Sequence, residues 1–199
     1  MSLFVTLEGI DGSGKTTLAR HVHKRMEAHD IDTIATQEPT KSWLGDAVRR
    51  SVDEGADPWV QTLLFLADRS RHIEEIREWI SQDRVVICDR YHDSTVAYQG
   101  VALEGRVSNP LEWIRRVSSP FLLEPDITLL LVVEPTEGLA RLSAVRERTP
   151  FEELEFLRRV QELYLRLAVE TRFVKLDSSR PPEVLAREAE GIILSRLQR

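Results

Sequence analysis

The sequence contains a single cysteine among its 199 residues, Cys88. One thiol excludes a disulfide framework or a thiolate metal site within one chain, and its place in the apolar run VVICD indicates a buried structural thiol. Long apolar runs are also missing, because ITLLLVV at 127–133 is far too short to cross a bilayer. The opening MSLFVTLEG shows no signal-peptide pattern. We therefore expect a cytoplasmic protein without a membrane partner.

An excess of positive charge is absent too, since 27 Lys and Arg stand against 33 Asp and Glu, a formal net charge of −6. This balance argues against binding to a nucleic acid polymer, which requires a basic surface. It leaves room for a local basic pocket that binds an anionic small molecule. With no repeat, low-complexity tract or linker, the length predicts one domain over residues 1–199.

Strand-like runs alternate with helical stretches along the chain. The predicted strands are 3–7, 31–36, 85–89, 127–133 and 173–177. VVICD and ITLLLVV are nearly unbroken apolar runs, as expected of strands buried on both faces. The predicted helices cover about 15–27, 57–81 with Asp57 as N-cap and Pro58 at the first helical position, and 181–197. The pattern predicts an α/β fold: a five-stranded parallel sheet with helices on both faces, which binds ligands beyond the carboxyl ends of its strands.

The stretch GIDGSGKT matches G-x-x-x-x-G-K-[ST], with Lys15 and Thr16 at its end. It lies between a predicted strand and a predicted helix, as the motif requires. Glycines let successive N–H groups point inward at phosphate oxygens, Lys15 reaches the terminal phosphates, and Thr16 offers a hydroxyl to Mg²⁺. We predict ATP with Mg²⁺ as the ligand and disfavour a glycine-rich turn that binds nothing. The candidate ATP-binding residues are Gly9, Ile10, Asp11, Gly12, Ser13, Gly14, Lys15, Thr16 and Thr17.

A second pocket is indicated by Phe65 and Arg69, which lie four apart on one face of the long helix, with His72 further along it. A ring and a guanidinium can stack on a base and bond its carbonyl. The alternative is that Phe65 belongs to the core and that Arg69 is a solvated charge. Asp89-Arg90 ends a buried strand, where burying two charges that have no functional role would cost free energy.

Further candidates lie beyond two strand ends. Tyr98 and Gln99 follow Arg90 shortly afterwards, although simple packing is an alternative for Tyr98. Glu38-Pro39 follows the second strand in the same way.

The segments LEGIDGSGKTT, TQEPT, FLADRSRH, DRYHDSTVAYQG and PDITLLLVVEP together resemble the thymidylate kinase family, in the same order and over roughly residues 3–164. The resemblance implies a P-loop fold of the nucleoside monophosphate kinase type. It also implies ATP- and Mg²⁺-dependent phosphorylation of dTMP to dTDP for dTTP synthesis, by a homodimer.

The resemblance also implies roles for individual residues. Phe65 would stack on thymine, Arg69 would read the base, Arg90 would grip the monophosphate, and Tyr98 would lie under the deoxyribose. Asp11 would act near the sugar and the transferring phosphate. Other candidate dTMP contacts are Glu38, Pro39, Thr95 and Gln99, and the candidate Mg²⁺ ligands are Thr16 and Asp89.

The chain departs from the family pattern at Gly12, where some members carry a catalytic arginine. Members without that arginine supply one from a mobile lid, which is expected here at about 141–153. Arg146 and Arg148 are the favoured lid residues, ahead of Arg141, because they lie nearest the turn at 149–150; an exposed helix surface is the alternative. Gln37 stands where many members have arginine, and the usual Asp-Arg-x-Glu run of the lid is missing. The predicted catalytic residues are Lys15, Asp11, Arg90, Arg146 and Arg148.

In the mechanism that we predict from these residues, the P-loop holds ATP, Arg90 aligns the acceptor phosphate, and a lid arginine stabilises transition-state charge. Adenine is expected near LDSSRPP at 176–182. One alternative is a kinase for another nucleoside monophosphate or for a deoxynucleoside. A second is a P-loop regulatory switch protein, but the guanine-reading Asn-Lys-x-Asp is missing, since VKLD at 174–177 lacks the Asn.

Overall fold

Five parallel strands form the centre of the protein in a computed structural model that describes residues 1–142 and 150–198. The strands are β1 Leu3–Glu8, β2 Thr33–Gln37, β3 Val85–Asp89, β4 Ile127–Val132 and β5 Phe173–Asp177. Their order is β2-β3-β1-β4-β5, and every neighbouring pair is parallel. The predicted five-stranded parallel sheet is confirmed. The predicted start of β2 at Ile31 was wrong by two residues, because the Ile31 N–H bonds to Met26 O at 3.1 Å in the turn that ends the preceding helix.

Eight helices are described around this sheet. They are α1 Lys15–Ala28, α2 Trp43–Asp53, α3 Pro58–Ser81, α4 His92–Ala102, α5 Pro110–Ser118, α6 Pro135–Leu142, α7 Pro150–Leu167 and α8 Pro182–Leu197. The predicted N-cap of α3 is confirmed, since the Asp57 carboxylate accepts the Trp59 N–H at 2.9 Å and Pro58 is the first helical residue. None of the helices in the described ranges is long and apolar enough to cross a membrane.

The central strand β1 is buried on both faces and divides the core. Leu3, Val5 and Leu7 join the cluster that α1 and α8 cover. Phe4 points the other way and packs with Ile73 of α3. This alternation follows from the two-residue period of a strand and explains why β1 is so largely apolar.

Cys88 lies in β3 and is fully buried, as predicted from its apolar surroundings. Its Sγ donates to Arg90 O at 3.0 Å. Burial raises the pKa of the thiol well above its usual value. The thiol is therefore protonated and structural.

Residues 143–149 of the expected lid at about 141–153 lie outside the described residues. Arg146 and Arg148 both fall outside them. The structure describes Arg141 and the helix α7 that follows the segment.

Candidate active site

The glycine-rich loop at 9–14 connects β1 to α1 at the carboxyl end of the sheet. Gly12 has φ of 77°, in the left-handed region that favours glycine. A Cβ at Gly12 would also clash with the backbone of Gly138 in α6. Both conditions make glycine necessary at this position, and the strand-loop-helix arrangement predicted for the motif is confirmed.

Lys15 begins α1 and folds back over this loop. Its Nζ donates to Ile10 O at 2.8 Å, to Gly9 O at 3.0 Å and to Ser13 Oγ at 3.2 Å. The side chain is buried, and burial together with the nearby Arg90 charge lowers its pKa from 10.5 to about 7. An anionic group bound in the loop would lie close to Nζ of Lys15 and would stabilise its positive charge.

Thr16 and Asp89 approach each other from α1 and from the end of β3. The Thr16 hydroxyl donates to Asp89 Oδ2 at 2.5 Å. Asp89 Oδ1 is buried and has no hydrogen-bond partner within the described part of the chain. A free carboxylate oxygen beside a hydroxyl fits Mg²⁺, which prefers oxygen ligands and is bound by one or two carboxylates together with substrate phosphates. The described residues contain no group of three or more His, Cys, Asp or Glu side chains that could hold an ion by itself.

Arg90 follows β3 in the left-handed conformation, with φ of 69°. Its Nη2 donates to Asp11 Oδ1, and its Nη1 donates to Ser94 Oγ at 3.3 Å. Its guanidinium lies 5.2 Å from the centre of the Tyr98 ring, and the Tyr98 hydroxyl accepts the Asp11 N–H at 2.8 Å. Three residues nominated separately from the sequence, Asp11, Arg90 and Tyr98, thus form one cluster beside the loop.

Arg69 is buried rather than solvated, so the alternative of an exposed helix charge is wrong. Its Nη2 donates to Glu38 Oε2 at 2.6 Å, to Thr95 Oγ1 at 2.9 Å and to Tyr91 O at 3.0 Å. Its Nε and Nη1 are buried and have no partner among the described residues. Buried donors without acceptors are costly, and they indicate a place where a ligand supplies the acceptor.

The structure also describes the remaining nominated acceptor residues, Phe65, Gln99, Glu38 and Pro39. Phe65 is half-buried one turn before Arg69 and is not part of the four hydrophobic clusters of the described residues, which disfavours a core role. Gln99 is buried on α4, and the Glu38-Pro39 peptide bond is cis.

Glu8 is a site residue that was not nominated from the sequence. It ends β1 directly before the loop and is fully buried. Its Oε1 accepts the Tyr91 N–H at 2.9 Å, and its Oε2 accepts the Ser94 hydroxyl at 2.5 Å and the Tyr164 hydroxyl at 3.0 Å. Burial, reinforced by the nearby Asp93 carboxylate, raises its pKa from 4.5 to about 7. The sequence feature that could have identified Glu8 is a charged residue at the end of an apolar strand.

A cavity of about 820 Å³ joins the loop to the segment after β5. It is lined by residues 11–18, Arg90, Arg141, Leu142, residues 178–182 and Leu185. Arg141 bridges its two sides, because its Nη1 donates to Gly12 O at 3.2 Å and its Nη2 donates to Ser178 O at 3.0 Å. The segment expected to hold adenine therefore shares one cavity with the P-loop.

A central parallel sheet and a lysine-bearing glycine loop, with a cluster of buried polar side chains beside it, define a P-loop nucleotide-binding protein. The family model for thymidylate kinase matches residues 7–189. The chain is 42% identical over 194 residues to a probable thymidylate kinase of Methanoculleus marisnigri, and the matched region covers 96% of this chain and 94% of the relative. It is 39% identical over 199 residues to a probable thymidylate kinase of Methanosarcina barkeri, covering 98% and 97%. The chain belongs to the thymidylate kinase family, and the resemblance drawn from its motifs is confirmed.

Proposed function

We propose that this chain transfers the γ-phosphoryl group of ATP to the phosphate of dTMP, giving ADP and dTDP for dTTP synthesis. Family membership supports the reaction. The observation that carries the choice of acceptor is the buried Arg69, whose Nε and Nη1 have no partner among the described residues. Those N–H groups match a carbonyl oxygen on a pyrimidine base, which accepts and does not donate.

ATP occupies the 820 Å³ cavity in this proposal. Its phosphates lie on the loop N–H groups and Lys15, and its adenine lies toward residues 178–182. Thr16 and Asp89 would hold Mg²⁺, which neutralises charge on the phosphate oxygens when bound. The loop contacts of Lys15 are replaced by phosphate oxygens, which restores its positive charge.

Arg90 aligns the acceptor phosphate. Its guanidinium is already fixed between the Asp11 carboxylate and the Tyr98 ring, so little conformational freedom is lost when dTMP binds. The acceptor phosphate is already largely ionised near neutral pH, and it therefore needs no general base. Asp11 is the loop residue that contacts this arginine, and it lies near the sugar and the transferring phosphate in this proposal.

The nucleoside of dTMP lies along α3 and α4 in this proposal. Phe65 stacks on thymine and Arg69 donates to its carbonyl. Tyr98 packs under the deoxyribose, where it disfavours a 2′-hydroxyl. The remaining contacts come from Glu38, Pro39, Thr95 and Gln99.

The lid at about 141–153 closes over both nucleotides. Arg146 and Arg148 are the proposed catalytic arginines, which stabilise charge on the transferring group. Closure excludes water, which would otherwise hydrolyse ATP. We also propose that the protein is a homodimer, which the family resemblance supports. We propose a cytoplasmic location as well, in keeping with the lack of a membrane-spanning helix among the described residues.

The test is ADP formation from ATP and Mg²⁺ with dTMP, dUMP, dCMP, dGMP, AMP or thymidine as acceptor. Selective turnover of dTMP is expected. Preference for another acceptor would overturn the pocket built on Phe65, Arg69 and Tyr98. ADP formation with none of them would overturn the kinase activity and favour a P-loop switch protein.

A further inference from the structure

A chain of buried polar side chains begins at the Glu38 carboxylate, which accepts from Arg69. His72 is one turn further along α3 and has no exposed surface, and Glu38 is buried in the loop after β2. His72 Nδ1 lies 3.0 Å from Glu38 Oε1, and Glu38 Oε2 accepts from Arg69 Nη2 at 2.6 Å. His72 Nε2 lies 2.8 Å from the hydroxyl of Thr36 in β2. The chain thus runs from Thr36 through His72 and Glu38 to Arg69.

A neutral imidazole satisfies both contacts of His72. With its proton on Nδ1 it donates to the Glu38 carboxylate, and its Nε2 accepts the Thr36 hydroxyl proton. The pair of Arg69 and Glu38 then carries no net charge, and both of its side chains are buried. The His72 ring also packs against the Trp79 ring in a T-shaped arrangement, with ring centres 6.2 Å apart.

Both oxygens of Glu38 are therefore occupied, one by His72 and one by Arg69. This arrangement prevents the carboxylate from rotating about its own axis. Because Glu38 is fixed, it holds Nη2 of Arg69 together with Tyr91 O and Thr95 Oγ1. The planar guanidinium then fixes the direction of Nε and Nη1. Nε and Nη1 of Arg69, which have no partner among the described residues, are thus oriented by His72 through Glu38.

We propose that His72 is a positioning residue that acts through Glu38 to hold Arg69 in place, and so sets the base selectivity of the acceptor site. The proposal deepens the proposed function and rests on it. Thymine presents a carbonyl at C4, whereas cytosine presents an amino group there. A guanidinium only donates, so it rejects the amino group only while its direction is fixed.

The experiment compares dTMP with dCMP as acceptors for the wild type and for His72→Ala, His72→Asn and His72→Gln. An asparagine amide places a donor near the position of Nδ1, whereas a glutamine amide reaches the position of Nε2. We expect His72→Ala and His72→Gln to lower the dTMP/dCMP ratio of kcat/KM about tenfold through a higher KM for dTMP, with kcat for dTMP within about twofold of wild type. His72→Asn should restore most of the ratio. Thr36→Val, which removes only the outer hydroxyl, should lower it less.

The KM for ATP serves as the internal control, because a merely structural defect would change it together with the KM for dTMP. A selective wild type with an unchanged ratio in His72→Ala would overturn the positioning role and leave the proposed function intact. Equal losses in His72→Asn and His72→Ala would also overturn it. If His72→Ala does not fold, the Asn and Gln pair decides the question alone. A wild type that does not phosphorylate dTMP would overturn the proposed function and this proposal together.

Discussion

The backbones of Gly12 and Gly138 pack directly against each other. A Cβ on Gly12 would meet the carbonyl of Gly138, and a Cβ on Gly138 would lie 2.9 Å from Asp11 O. The first residue belongs to the P-loop and the second to α6, the helix that leads into the expected lid. The contact gives a physical reason for the missing P-loop arginine, because α6 occupies the space that a side chain at position 12 would need.

Gly138→Ala tests this contact without a change of backbone conformation, since φ of Gly138 is not positive. The added methyl group should push α6 away from the loop, raise the KM for ATP several-fold and lower the free energy of unfolding by about 1–3 kcal/mol. Steady-state kinetics and denaturant unfolding measure both effects. Gly191→Ala in α8 is the matched control, because an added Cβ there would meet no atom within 4 Å and should leave the kinetics unchanged. Unchanged ATP kinetics in Gly138→Ala would show that the contact has no role in nucleotide binding.

Arg90→Ala removes the proposed clamp on the acceptor phosphate. We expect kcat/KM for dTMP to fall by about 10²–10³, as when a charged group that stabilises a transition state is lost. Arg90→Lys should recover only part of this, because an ammonium cannot bond two phosphate oxygens side by side. Activity equal to that of the wild type in Arg90→Ala would exclude the assignment.

Arg141→Ala tests the arginine that bridges Gly12 and Ser178. Its loss should raise the KM for ATP about five- to tenfold and leave the KM for dTMP unchanged, since Arg141 lines the ATP cavity. Arg146→Ala and Arg148→Ala provide the contrast, because a catalytic lid arginine lowers kcat with little change in dTMP affinity. A fall in kcat with no change in the KM for ATP in Arg141→Ala would instead make Arg141 the catalytic lid residue.

Glu8→Gln tests the buried carboxylate through the pH dependence of stability. The pKa of Glu8 is about 7 in the folded protein and near 4.5 in the unfolded chain, so the folded state holds the proton more tightly. Its contribution to stability is fully present below about pH 4.5 and is lost as pH rises through 7. Between pH 5 and pH 8 the wild type should lose up to about 3 kcal/mol relative to Glu8→Gln. Urea unfolding at both pH values measures the difference, and Glu54→Gln, at an exposed carboxylate, should follow the wild type. Parallel curves for Glu8→Gln and wild type would show that Glu8 titrates normally.

The elements that the sequence predicts well are those with a local signal. β1, β3 and β4 are largely apolar runs, β5 begins with an apolar pair, and the loop at 9–14 has its own motif. The positions of these elements were predicted within one residue. Arg90 was nominated because a charge stands out at the end of a buried strand, and Arg69 because it lies four residues from Phe65 on one face of a helix. The start of β2 was misplaced because Ile31 is apolar but belongs to the turn after α1.

Pairs of residues far apart in the chain could not be found in this way. Glu8 and Tyr164 are 156 residues apart, and their hydrogen bond exists only because α7 packs over the end of β1. The contact between Gly12 and Gly138 depends in the same way on the placement of α6. Even His72, noticed for its helical spacing, revealed its partner Glu38 only when the loop after β2 was seen against α3.

The strand order also determines when a newly made chain becomes able to bind nucleotide. β1 and its loop are synthesised first, but β1 pairs with β3 on one side and with β4 on the other. The loop therefore lacks a supporting sheet until about residue 132 has left the ribosome, and the cavity lacks its far wall until residues 178–182 follow. Because these pairings join distant parts of the chain, they form late and cooperatively. A chain truncated before residue 132 would consequently carry the P-loop motif without the complete sheet and cavity that surround it here.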